Sequence, residues 1–291
     1  MKKIKTARVA ILVGFVAASI LASFVCVARG DDATNESAQR SEIQKEEIRI
    51  KGSLGSLYGV LHLPQTDGRL PLIVLSHGFG CNHFATEHYA EYFAREGGFA
   101  TFNFDFCGGG KEIQSDGSLL EFSVLTEAQD LNAVVDHFLK DPRFDRIFLF
   151  GQSQGGFVSA LVASQRPQDV DAVVLEYPAF VIQDDAKKRA NSDGTFPETV
   201  DVFGVTIGRK YNEDAVSFDI YEELGKYSGD VLIMHGDKDG IVPLRYAERA
   251  AKIYKSAELV VMPGQGHGFW GAAFLDAAQR ELKFFQSRAK K

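Results

Sequence analysis

Between residues 43 and 289 the sequence predicts an α/β protein with a mostly parallel eight-stranded sheet, helices on both faces and a small inserted cap. Three observations carry that expectation. Short all-apolar runs such as Leu72-Ile73-Val74-Leu75 have the character of strands buried on both faces. Amphipathic stretches separate these runs, so strands and helices alternate. Glycines and polar residues follow the strands at the edge where parallel sheets collect ligands.

The elements follow in order. Residues 46–64 alternate through Ile48, Ile50, Leu57, Leu61 and Leu63 around a turn at Gly52–Gly55, the pattern of a β-hairpin. Gln65–Arg69 is a loop, and the strand at 72–75 comes next. Residues 84–96 suit an amphipathic helix through Phe84, His88, Tyr92 and Phe93. Phe99–Phe106 is a second buried strand. Val124, Ala128, Leu131, Val134, Val135 and Phe138 recur at helical spacing within 122–139. Strand 146–150, helix 154–165 and strand 172–175 continue the alternation, which then stops. Residues 179–225 show no clear strand, and we expect them to form the cap. Strand 231–234, helix 244–255, strand 259–261 and a helix from Phe274 to about Arg288 resume the sheet.

Composition bounds the partners. Five of the 32 basic residues fall in the first 30 positions, which carry no acid, so the remainder holds 27 basic against 39 acidic residues. An acidic body argues against nucleic acid and anionic lipid as partners. Lys2, Lys3, Lys5 and Arg8 precede an uncharged run over 9–28, and Ala28-Arg29-Gly30 offers small residues at a cleavage position. Residues 1–30 are therefore expected to be a signal peptide or an uncleaved membrane anchor, with the body exported in either case. Residues 31–42 form a polar linker. Cys81 and Cys107, after neighbouring strands, are either a disulfide pair or two unpaired small hydrophobes. No ligand spacing accompanies them, so neither a metal nor another cofactor is expected.

The chemistry starts at Gly151-Gln152-Ser153-Gln154-Gly155, between an apolar strand and a helix. Glycines there allow a turn sharp enough to push a serine hydroxyl outward. Serine needs a base to take its proton. His267, in a glycine-rich loop after the last strand, is free to reach it. His62, His88 and His137 are surface or core histidines. His77 and His235 shape turns, and His83 is a pocket-lining candidate. An acid must hold the other imidazole nitrogen. Asp237 and Asp239 compete. Asp239, deeper in its loop, takes the role and leaves Asp237 to form the turn, while Asp105 sits in a run with the character of a loop. The order Ser153, Asp239, His267 is that required of a strand–turn–helix nucleophile. The backbone amides of Phe79 and Gln154 supply the two donors of an oxyanion hole.

His77-Gly78-Phe79, Phe104-Asp105-Phe106, Gly151–Gly156, His235–Asp239 and Gly266-His267 together resemble the α/β-hydrolase family across residues 43–289. Within it the chain is similar to cinnamoyl (feruloyl) esterases and their monoacylglycerol-lipase-like relatives. The resemblance implies the α/β-hydrolase fold, the same three residues as a triad, and a 179–225 insertion that forms the acyl pocket. It also implies Asp185 and Tyr211 as the residues that hold a phenolic substrate end. The expected activity is serine carboxylic-ester hydrolysis through an acyl-enzyme on a small-molecule ester. A monoacylglycerol lipase or lysophospholipase, a serine peptidase, and a non-catalytic binding module on the same fold are the alternatives.

Overall fold

The computed structural model describes residues 43–66 and 68–290. The targeting segment and linker expected over 1–42 lie outside the described residues.

β1 (Ile43–Lys51) and β2 (Ser56–Pro64) form the antiparallel hairpin. β2 also runs antiparallel to β4 (Ala100–Phe104). From there the sheet is parallel: β4 pairs with β3 (Leu70–Ser76), then β5 (Phe144–Gln152), β6 (Ala172–Glu176), β9 (Asp230–Gly236) and β10 (Ala257–Met262). The order β1-β2-β4-β3-β5-β6-β9-β10 makes one eight-stranded sheet. The fourth strand is shorter than its apolar run, because Asp105 and Phe106 turn into the following loop.

Both faces of β3 are buried, and this explains its unbroken apolar run. Leu72 and Val74 join a core with α2 (Val124–Phe138) and α3 (Gln154–Gln165). Ile73 and Leu75 join a second core with α1 (Phe84–Gly97) and α8 (Ala272–Ala289). Ser123 caps α2, its hydroxyl accepting from the amides of Leu125 and Thr126. In α3, Gln154 through Ser164 are all buried, so this helix lacks a solvent face.

The insertion between β6 and β9 is where the sequence expectation fails. It holds α4 (Ile182–Lys188), α5 (Arg209–Val216) and α6 (Ile220–Leu224), but also a two-stranded hairpin of β7 (Thr199–Val202) and β8 (Val205–Gly208). Its turn is Phe203-Gly204, both at positive φ, 52° and 75°. Two four-residue strands and a Phe where such turns favour Asn or Asp leave little signal. α7 (Arg245–Ile253) returns the chain between β9 and β10. Cys81 and Cys107 are both free thiols, Cys107 buried and Cys81 exposed at a cleft edge.

Candidate active site

Ser153 joins β5 to α3 at φ 52°, ψ −115°, a region that disfavours any side chain. The bend is held from outside. Ser153 donates its amide to Glu176 O at 3.0 Å, and its carbonyl accepts from Ala179 at 2.8 Å. Close packing explains the flanking glycines. A Cβ on Gly151 would lie 2.3 Å from the Gly155 carbonyl, and one on Gly155 would lie 2.3 Å from that of Ser76. The loop after β3 passes against the serine as well, since a Cβ on Gly78 would sit 3.3 Å from that of Ser153.

The loops after β9 and β10 bring the other two residues in. His267 Nε2 lies 2.9 Å from Ser153 Oγ, and His267 Nδ1 lies 2.7 Å from Asp239 Oδ2. The network assigns the proton to Nδ1, which leaves Nε2 as an acceptor. Asp239 is buried, and its other oxygen accepts from the amides of Ile241 and Val242 at 2.9 and 2.8 Å. Burial pushes its carboxyl up. Hydrogen bonds from His235, His267 and the Val242 amide outweigh that and hold it well below the usual carboxylate range. The Tyr177 ring, centred 4.7 Å from that of His267, supports the imidazole.

The remaining polar candidates are occupied elsewhere. Asp237 accepts from the Gly264 amide. His77 Nδ1 donates to Gly78 O and its Nε2 accepts from the Phe106 amide, which pins the loop beside the serine. His235 Nε2 donates to Val242 O at 2.8 Å and lies 3.4 Å from Asp239 Oδ2, so it backs the acid and does not face the serine. His83 does not line the cleft: it is buried with Nδ1 2.7 Å from Asp105 Oδ1, and this pairing also fixes Asp105 as structural. His88 reaches the cleft instead, at the foot of α1. Among the described residues no cluster of three or more His, Cys, Asp or Glu side chains could hold a metal.

Ser153 stands between two spaces. One is an open cleft of about 490 Å³, walled by Phe79, Tyr177, Phe203, Ile241, Phe269 and Trp270, with Cys81, Lys111 and His267 among its other neighbours. The other is a pocket of about 50 Å³ under the insertion, reached by Phe79 and Gln154 and lined by Asp185, Arg189 and Tyr211. Asp185 is half-buried and ion-paired with Lys188 at 2.7 Å. The Tyr211 hydroxyl is buried and donates to Gln154 Oε1 at 2.5 Å. Sequence reasoning missed Arg189 and Trp270. It also missed four buried acids, Glu127, Asp130, Glu176 and Glu281. A signal existed for two of them: Glu127 falls three residues after Val124 on the apolar stripe of α2, and Glu281 lies beside Leu282 on that of α8.

Residues 69–201 match a family model described as serine aminopeptidase, S33 (Hydrolase_4). Hydrolase LUC6 from a Fusarium species is 29% identical over 134 residues, 42% of this chain, and the match spans 30% of that protein's length. Est1E from Butyrivibrio proteoclasticus, solved with ferulic acid bound, superposes with a TM-score of 0.76 at 26% identity. That likeness covers 84% of this chain and 100% of Est1E. A monoacylglycerol lipase from Paleococcus ferrophilus superposes with a TM-score of 0.60 at 19% identity, covering 85% of this chain and 99% of its own. A likeness that takes in nearly the whole of each neighbour makes this chain an α/β hydrolase by fold.

Proposed function

We propose that the protein is a serine carboxylic-ester hydrolase that works through an acyl-enzyme. The observation that carries this reading is the continuous path from Asp239 through His267 to Ser153 Oγ, opening on the cleft. Ser153 Oγ attacks the ester carbonyl while His267 Nε2 takes its proton. Asp239, ionised at any working pH, stabilises the imidazolium. The amides of Phe79 and Gln154 receive the oxyanion, and loss of one such donor costs about 3 kcal/mol of barrier. When the C–O bond to the alcohol breaks, the imidazolium returns its proton to the leaving oxygen. Water then repeats the cycle on the acyl-enzyme and frees the acid.

The two unequal spaces support a short acyl group beneath the insertion and a bulkier alcohol in the cleft. The polar end formed by Asp185, Arg189 and Tyr211 suits an acyl group with a hydrogen-bonding tip. The likeness to Est1E, solved with ferulic acid, makes a feruloyl ester the substrate to try against this pocket. The test is Ser153→Ala on 4-nitrophenyl acetate and methyl ferulate. Hydrolysis is expected to drop by at least about 10⁴-fold. A variant that kept its rate would overturn the mechanism.

A further inference from the structure

Gln154 opens α3, and the amide assigned to the oxyanion belongs to a helix start that the Ser153 side chain does not cap. The aim of that amide depends on what holds residue 154. Its side chain is gripped at both ends. Gln154 Nε2 donates to Glu127 Oε2 at 2.8 Å, and Gln154 Oε1 accepts from the Tyr211 hydroxyl at 2.5 Å. All three residues are at most 3% exposed. Glu127 comes from α2 in the core and Tyr211 from α5 in the insertion, so the grip spans both parts.

We propose that Glu127 is a positioning residue for the oxyanion site: with Tyr211 it clamps the Gln154 side chain, so that the seating of the insertion and the aim of the Gln154 amide become one event. The inference rests on the esterase reading above. A carboxyl on the apolar stripe of α2 is costly to bury unless it is hydrogen-bonded, and here it accepts from Gln154. Its oxygens have reserved room, because a Cβ on Gly109 would come within 2.7 Å of Glu127 Oε1. Burial pushes the Glu127 carboxyl well above the usual range; the Gln154 bond opposes this and the charge of Asp130 adds to it. Glutamine is therefore a near-isosteric replacement for the neutral acid.

The experiment compares the wild type with Glu127→Gln, Glu127→Leu and Tyr211→Phe, with rates expressed per active site counted by a fluorophosphonate label. Glu127→Leu is expected to lower kcat on 4-nitrophenyl acetate about tenfold or more with KM little changed, because a buried partner is left unpaired. Glu127→Gln is expected to stay within about threefold of wild type, its amide oxygen replacing one hydrogen bond. Affinity for a phenylboronic acid, which forms a tetrahedral adduct, should fall in step with kcat. Tyr211→Phe, which deletes one hydroxyl, gives the same parallel loss at smaller size and carries the test if Glu127→Leu fails to fold. Full kcat per labelled site in both Glu127→Leu and Tyr211→Phe, or a change confined to KM, overturns the proposal. Activity surviving in Ser153→Ala would instead overturn the esterase reading, so the two failures are separate.

Discussion

At the scale of a single residue, Ser153 stores strain. At φ 52°, ψ −115° its side chain occupies a backbone region suited to glycine, at a cost of about 1–3 kcal/mol. Replacing it with glycine relieves that strain but adds about 0.5–1 kcal/mol of unfolded-chain entropy. Ser153→Gly should therefore be more stable than Ser153→Ala by about 1 kcal/mol in urea denaturation, although both lack the hydroxyl. Equal midpoints would mean that the bend holds no strain. Tyr177, one residue beyond β6 and against the His267 ring, also has a positive φ, 36°. The two positive-φ residues stand on adjacent strands, at the point where the chemistry is proposed.

At the scale of an element, α3 is pressed against the strand ends so closely that glycine is needed at its first turn. A methyl group on Gly155 would meet the carbonyls of Ser76 and His77 at 2.3 and 2.5 Å. Backbone cannot yield as a flexible side chain can, so Gly155→Ala should destabilise the fold by about 1–3 kcal/mol. It should also lower kcat, because a shifted α3 carries the Gln154 amide with it. Thermal melts and kinetics on one preparation check both effects. The sheet elements were legible in the sequence because burial on both faces leaves unbroken apolar runs such as 72–75 and 146–150. Ser153, Asp239 and His267 were legible because each follows a strand in the sheet. The β7–β8 hairpin was not, since four-residue strands give too short an alternation. Glu127 and Tyr211 were not legible as a pair, because their contact joins two parts of the chain through a third residue, and spacing does not record such contacts.

At the scale of the molecule, a buried acid pair joins the end of β6 to the two helices, α1 and α8, on one side of the sheet. Glu176, at the end of β6, accepts from Tyr89 of α1 at 2.6 Å and from Gln152 of β5 at 2.7 Å, and Glu281 of α8 faces it. Burial, and then the charge of Glu176, push Glu281 well above the usual range. The sign follows. Above about pH 4.3 the unfolded chain releases this proton while the folded chain keeps it, so stability falls as pH rises. Glu281→Gln removes that slope. It should melt higher than wild type at pH 8, with the gap closing towards pH 4. Calorimetry at the two pH values checks this, and a gap independent of pH would show that no proton is held there. Glu176 anchors Tyr89 and Gln152, so this pH dependence belongs to the scaffold behind Ser153 rather than to a surface loop.

The unequal spaces on either side of Ser153 have a kinetic consequence. On the esterase reading the acyl group waits under the insertion, while the leaving alcohol and the incoming water share the open cleft. Departure and entry must alternate through a single doorway. Its walls are aromatic, and Phe203 and Trp270 are 75% and 76% exposed at its mouth. An apolar alcohol that lingers there excludes water from the acyl-enzyme and is itself positioned to attack it. The balance between hydrolysis and acyl transfer is then set by which acceptor occupies the doorway, and so by the surroundings of the enzyme as much as by its catalytic residues.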